Sequence, residues 1–570
     1  MKEKQIPVFE EWPFKVPNVK ACLVKIQKAT AMLKAAVDGP SALRAYKKHV
    51  KDSDAFQNEM THVFVLFTLD SANPKYAKAM DKMNEGMPLI QAEENKFTLA
   101  MLQSPHRAYL EKKLGTHYFT MGEYALKSFD ERIIEESVEE NKLSTEYAAK
   151  IASYLVPFRG ETYNLPQMGK FMQDLDRNTR KEAAAAYYAY LSTKADELED
   201  IYDRLVHLRD KMAKKLGFKN YVELGYLRMG RYDYSQEDVA GYRKDIHDFV
   251  TPIVEKIMKA QFRRTGIRRP EVYDLSLQFK DGNPLPKGTT QEKIEAAKGM
   301  YDELSPETGY FFRFMADRHV LDLEARPGKQ SGGYMTYFPK YGIPFIFSNF
   351  NGTKGDVDVL THEFGHSFQA YCSRKIKIPE YRSPTSEGCE VHSMSMEFFA
   401  HPWMDRFFDH PEKYRYAHLA DSITFLPYGV TVDHFQEWVY ENPDATKEER
   451  DAKWHELEEY YTPYKVAAYR GCEYMATGHR WLTQAHIFEN PFYYIDYTLA
   501  QVMAFQFFNL DRKNHELAWK RYLKFCEAGG KYPFRTLVLK GHMKDPFAPG
   551  TIKKTIRPLL HVLESYHIGE

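Results

Sequence analysis

The sequence predicts a mainly α-helical protein with one short region of β-strand. Three observations lead there. Apolar residues recur every three or four positions over most of the chain, capping signals and glycines bracket those stretches, and glycine- and proline-punctuated aromatic runs are confined to one segment. The 570 residues are 43% apolar and 28% charged, a globular balance that allows a large core.

In chain order, Asn18 to Val37 and Asp130 to Tyr154 carry helical periodicity. Gly160, Pro166 and Gly169 interrupt the pattern between Phe158 and Gly169, so the chain divides near there into an N-terminal helical region, residues 1–180, and a second region, residues 181–570. Lys181 to Tyr190 is alanine-rich and helix-prone. Leu198, Ile201, Leu205, Leu208 and Met212 make an amphipathic stripe that Gly217 should stop. Ser235 to Asp238 has the form of a capping box before a long pattern from Val239 to Phe262. From Val320 to Asn351, Gly328, Gly332, Gly333, Pro339, Gly342 and Pro344 separate short aromatic and β-branched runs, which predicts two or three strands. The helical pattern resumes after Gly355 and runs to about Cys526, ending at Gly529 and Gly530.

Composition narrows the function. Lysine plus arginine and aspartate plus glutamate each number 79, so there is no basic excess to neutralise a phosphate backbone, and nucleic acid is not an expected partner. The opening MKEKQIPVFEEWPFKVP lacks the continuous apolar core of a secretory signal. Val63 to Leu69, the longest apolar stretch near the start, is far short of the roughly 20 residues that span a bilayer. The five cysteines are scattered and form no CxxC pair, which excludes a disulfide framework and a cysteine zinc site. The expectation is a soluble cytoplasmic protein with no membrane partner.

Thr361 to His366 contains HExxH. On a helix, His362 and His366 stand one above the other and can each aim a ring nitrogen at one ion, at the roughly 2.0–2.1 Å usual for zinc. Glu363 projects beside that ion, where a carboxylate can take a proton from an attacking water. A catalytic zinc usually takes a third protein ligand. The metzincin extension is excluded, because Gln369 and Cys372 stand where it needs glycine and histidine. Ser383-Pro384 reads as the start of a following helix, on which Glu387, Glu390, Met394 and Glu397 recur on one face. Spacing alone does not choose among the three glutamates.

HEFGHSFQ, a short loop and then SEGCEVHSMSMEFF together resemble the zinc site of the thimet oligopeptidase and oligoendopeptidase F family of metallopeptidases, which includes the Pz-peptidases. The resemblance implies that Glu390 is the third ligand of one zinc ion per chain, and that Glu397 orients a ligand histidine. The segment His486 to Tyr497 resembles the family's histidine and tyrosine segment, with Tyr494 and Tyr497 three apart and His486 one residue closer than in the thimet branch. These three residues are implied to bind substrate and the oxyanion. Gly332-Gly333-Tyr334 and the run from Pro344 to Asn349, with Phe345 and Phe347, resemble the segment where a peptide aligns along a strand edge.

The resemblance thus implies a large helical zincin-type fold enclosing a deep channel, with a small β-sheet beside the HExxH helix and the catalytic domain in residues 181–570. The implied activity is zinc-dependent hydrolysis of internal bonds in short peptides, with Glu363 as general base. The competing readings are a helical peptide-binding scaffold with a dead metal site and a related zinc aminopeptidase. The intact set of His362, Glu363, His366 and Glu390 argues against decay.

Overall fold

The computed structural model describes residues 6–568, so the first five residues of the segment read for an export signal lie outside it. Helices dominate the chain, as the periodicity predicts. No helix among the described residues is long and apolar enough to cross a membrane.

Three long helices come first, Val19–Lys34, Gly39–Leu69 and Pro74–Leu102. Each has a polar cap: Asn18 accepts from the Ala21 amide, Asp38 forms a capping box with Ser41, and Asn73 accepts from Lys75. Ile26, Leu33, Tyr46, Ile90, Phe97 and Met101 are buried between these helices. The break expected at Phe158 to Gly169 holds a hairpin, in which β1 (Leu155–Phe158) pairs antiparallel with β2 (Glu161–Asn164). Its turn residues Arg159 and Gly160 have φ of 50° and 86°. Both central residues of a tight hairpin turn need positive φ, and arginine in place of the usual asparagine hides the signature in the sequence.

Helix Ala195–Leu216 ends at Gly217 with φ 90°, as its stripe and stop signal predict. The single pattern from Val239 to Phe262 is divided into Gln236–Asp245, a π turn Ile246–Val250, and Thr251–Thr265. Pro252 has no N–H for the carbonyl one turn back, and the wider turn absorbs the lost bond. After the glycines at 529 and 530 the helical pattern continues, in Phe534–Lys540 and Thr551–Ser565.

The glycine-rich segment forms three strands, β3 (Leu321–Glu324), β4 (Tyr334–Phe338) and β5 (Ile343–Phe350), in the order β3-β5-β4. β3 runs parallel to β5 and β4 antiparallel to it. Both sides of β5 are therefore paired, and β3 and β4 are the two edges. Phe345 and Phe347, read above as substrate contacts, lie on the central strand at 1% and 0% exposure. They are core residues; Phe347 stacks beneath Tyr334 with ring centroids 4.7 Å apart.

The main apolar core extends from Ile6 to Leu563 and takes in the HExxH helix Gly355–Ser373, the helix Ser386–Phe399 and the helix Tyr494–Asp511. The second of these starts two residues later than Ser383-Pro384 suggests, with Thr385 as its extended N-cap residue; the Gly530 backbone packs on Ser383 and the Pro384 carbonyl accepts from the Cys389 thiol at 3.6 Å. Two glycines set the spacing of the helices. A Cβ on Gly365 would fall 2.6 Å from Ser393 Cα and 2.7 Å from the His392 carbonyl oxygen, and one on Gly429 would fall 2.2 Å from Thr498 Cγ2. Gly365→Ala is expected to lower the unfolding free energy by about 1–3 kcal/mol in urea titration, since the clashing atoms are backbone and cannot rotate away. Gly241→Ala, in a helix with nothing within 4 Å, is expected to leave it unchanged or raise it by up to about 1 kcal/mol.

Candidate active site

The contact at Gly365 brings the side chains before and after it on the HExxH helix against the neighbouring helix. His362 Nε2 lies 3.2 Å and His366 Nε2 3.3 Å from one oxygen, Oε2 of Glu390. Around a tetrahedral ion with bonds of roughly 2.0–2.1 Å, ligand atoms are separated by about 3.3 Å, so the three groups fit a metal of that kind. Burial would raise the Glu390 carboxyl, but the rings of His366 and His362 outweigh it and hold Glu390 well below the ordinary carboxylate range. Ser393 Oγ donates to its Oε2 at 2.9 Å and the Tyr493 hydroxyl to its Oε1 at 2.6 Å.

Glu397 lies two helical turns beyond Glu390 on the same face. Its Oε1 is 2.7 Å from His362 Nδ1, and its Oε2 is 2.7 Å from His418 Nε2. His418 Nδ1 in turn meets His401 Nε2 at 2.9 Å. Burial opposes charge on Glu397, but the hydrogen bonds from His362 and His418 dominate and bring it down to about 2. An ionised Glu397 takes the Nδ1 proton of His362 as a hydrogen bond and leaves Nε2 free to ligate. Glu387 points elsewhere, to the hydroxyl of Tyr234.

Glu363 is 4% exposed, and its Oε2 has no hydrogen-bond partner. Burial raises its carboxyl above the ordinary range, against the opposing pull of His362 and His366. A Cβ on Gly333 would sit 3.3 Å from Glu363 Oε1, so the approach to the edge strand β4 runs beside this carboxylate.

The histidine and tyrosine segment arrives through a strained turn. Phe492 has φ 69°, a left-handed conformation that costs a non-glycine residue about 1–2 kcal/mol. Its amide donates to Gln436 Oε1 at 2.9 Å and its carbonyl accepts from Arg231, which hold that geometry. Beyond it, Tyr428 donates to Gln484 Oε1 at 2.7 Å, which orients the amide so that Gln484 Nε2 donates to His486 Nδ1 at 3.1 Å. Burial keeps His486 neutral, down to about 4, so its one proton is on Nε2, 3.0 Å from the Tyr497 oxygen. The Tyr497 hydroxyl, which burial holds well above its usual pKa, therefore keeps its own proton free to donate. Tyr494 packs beside this chain, its ring 5.2 Å from His486 and 5.4 Å from Tyr497.

His362, Glu363, His366, Glu390, Glu397, His486, Tyr494 and Tyr497 thus share one locality, with Gly332, Gly333 and Tyr334 at its border. Tyr493, His401, His418, Tyr428 and Gln484 complete the network and carry no sequence signal of their own. The run of tyrosines at 493 and 494 is the nearest to one.

The model of peptidase family M3 matches residues 309–555, and that of the peptidase M3 N-terminal domain matches residues 9–129. Oligopeptidase PepF of Bacillus subtilis (strain 168) is 21% identical over 242 residues, which are 40% of this chain and 36% of that protein. The match therefore spans about a third of this curated relative. A structure of PZ peptidase A with an inhibitor superposes with a TM-score of 0.96 at 42% identity, covering 98% of this chain and 99% of that one. A provisionally named oligoendopeptidase F of Bacillus anthracis str. Ames superposes with a TM-score of 0.91 at 40% identity, covering 98% of both chains.

Replacing Glu397 with glutamine offers an N–H where an imidazole N–H needs an acceptor. Glu397→Gln is expected to weaken metal binding about 10- to 100-fold, read by competition with a chromophoric chelator.

Proposed function

This chain belongs to peptidase family M3, and from that premise we propose that it is a zinc-dependent endopeptidase that cuts internal bonds of short oligopeptides. One observation carries the reading: His362, His366 and Glu390 converge on a point beside a buried carboxylate, Glu363, that has an unpartnered oxygen. His362, His366 and Glu390 would hold one zinc ion at this centre, which supplies Lewis-acid polarisation of a water and of the scissile carbonyl.

The chain's own groups do the rest. Glu363, made more basic by burial, takes a proton from the attacking water and passes one to the leaving amine. Tyr497 donates its free hydroxyl proton to the carbonyl oxygen as negative charge grows there, while neutral His486 and Gln484 hold the phenol in place. The peptide lies extended along the edge of β4, starting at Gly332, Gly333 and Tyr334, where the backbone approaches Glu363 without an intervening side chain. The N-terminal helical region provides a wall: a cavity of about 500 Å³ is lined by Phe64, Phe67 and Met80 on one side and by Gln330, Asn490 and Pro491 on the other. A long chain would have to enter such a space as an ordered loop, at an entropic cost. The reading places the enzyme in the cytoplasm, where its five free cysteines stay reduced.

The deciding experiment incubates the protein with end-blocked fluorogenic peptides and, separately, with a reduced unfolded protein at matched bond concentration. Expected are chelator-sensitive cleavage of the peptides, little cleavage of the long chain, and a loss of about 10²–10⁴-fold in Glu363→Gln with metal retained. Peptide binding without cleavage would favour the scaffold. Activity confined to free N-terminal residues would favour an aminopeptidase. Fragmentation of the long chain that Glu363→Gln abolishes would remove the substrate class and leave the chemistry.

Tyr497→Phe is expected to reduce kcat by about 10²–10³-fold with KM little changed, because its bond strengthens only as charge develops. Tyr494→Phe should have the smaller effect, since Tyr494 does not receive the His486 proton. Steady-state kinetics on one peptide compare them, and a rise in KM alone for both would reject the assignment.

A further inference from the structure

A second convergence of ligand-bearing side chains lies on elements that do not contribute to the site above. Glu199, on helix Ala195–Leu216, meets Asp451, on helix Lys447–Tyr461, and His479, which opens the 3-10 turn His479–Thr483. His479 Nε2 is 3.0 Å from Asp451 Oδ2 and 3.7 Å from Glu199 Oε1. These separations bracket the 3.2 and 3.3 Å found among His362, His366 and Glu390.

Two of the three groups are aimed by partners outside the trio. Trp481 Nε1 donates to Asp451 Oδ1 at 2.8 Å, which turns Oδ2 toward the imidazole. Thr477 Oγ1 engages His479 Nδ1 at 2.9 Å and leaves Nε2 facing the carboxyls. Outer contacts of this kind fix the tautomer and direction of ligating histidines and carboxylates. Gly478, at φ 93°, allows the turn to come this close, since a Cβ there would sit 2.2 Å from the Asp451 carbonyl oxygen.

Glu199 is 5% exposed and points into the cluster, where its carboxyl shares a hydrogen bond with that of Asp451. Its polar neighbours are the Asp451 carboxyl and the imidazole nitrogen 3.7 Å away. Two buried carboxyls side by side with one imidazole need a cation or a shared proton to be tolerable.

We propose that Glu199, Asp451 and His479 form a second divalent-metal site, one nitrogen and two oxygens of zinc type, which ties the helix Ala195–Leu216 to the helix Lys447–Tyr461 and to the turn that leads into the His486 segment. The fourth position opens on the partly exposed side of His479, whose side chain is 23% accessible. The role is structural, and it does not depend on the peptidase reading.

Metal stoichiometry on the full chain tests this. The protein is stripped with chelator, reloaded with zinc sulfate, dialysed and analysed by plasma mass spectrometry. Wild type is expected to hold two zinc ions per chain. Glu199→Gln and His479→Ala should hold one each, with peptide cleavage unchanged, and Glu390→Ala should keep the ion at the second site. Zinc should also raise the thermal midpoint of Glu390→Ala but not of Glu390→Ala combined with Glu199→Gln. Glu199→Gln preserves side-chain volume and carries the test if His479→Ala does not fold. A single ion in wild type that is lost in Glu390→Ala, or two ions retained in Glu199→Gln, overturns the proposal. Either result would leave the trio as a proton-sharing cluster.

Discussion

Two helices touching almost backbone to backbone at Gly365 are the constraint on which the rest of the centre depends. His362 and His366 stand on either side of that contact, and Ser393 and His392 fill the space a Cβ would need. Only at this separation can one oxygen of Glu390 come within 3.3 Å of both imidazoles. Gly429 acts likewise in the next layer, letting helix Pro411–Glu441 close on Thr498 beside Tyr494 and Tyr497.

The carboxylates around this contact differ in how well they are satisfied, and in the proposed function that difference separates holding from reacting. Glu390 receives bonds from Ser393 and Tyr493, and Glu397 is bridged between His362 and His418. Both are kept ionised despite burial. Glu363 is buried to a similar degree but has an oxygen without a donor and a carboxyl made more basic. Well-bonded carboxylates orient their neighbours rigidly. An under-bonded one in the same low-dielectric setting is poised for proton transfer.

A directional chain leads to the other side of the centre. From Tyr428 through Gln484 and His486, each donor and acceptor is fixed by the one before, and the last free proton is on Tyr497. No charged group is needed to aim it. The small sheet contributes differently: β5 is paired on both sides and serves as support, and β4 with its leading glycines is the edge that runs beside Glu363. In the proposed function, substrate alignment and proton chemistry rest on separate pieces of the fold that meet at Gly333 and Glu363.

The sequence by itself determined the helical class, two or three strands between Val320 and Asn351, and the pairing of His362 with His366. Each is a matter of local periodicity, which acts within one element. Resemblance to the family singled out Glu390 and Glu397, where spacing alone left three glutamates open. Tertiary structure decided the rest. It placed Phe345 and Phe347 in the core, put a hairpin at Arg159-Gly160, and recruited Tyr493, Gln484, His401 and His418. Tyr493 reaches Glu390 across 103 residues of sequence. Which of two adjacent tyrosines does so is set by the positive φ at Phe492, held by Gln436 on helix Pro411–Glu441 and by Arg231 in the loop before helix Gln236–Asp245. A residue's type and spacing record what it can do on its own helix. The direction in which it faces another helix is set by packing between elements, which no local pattern encodes.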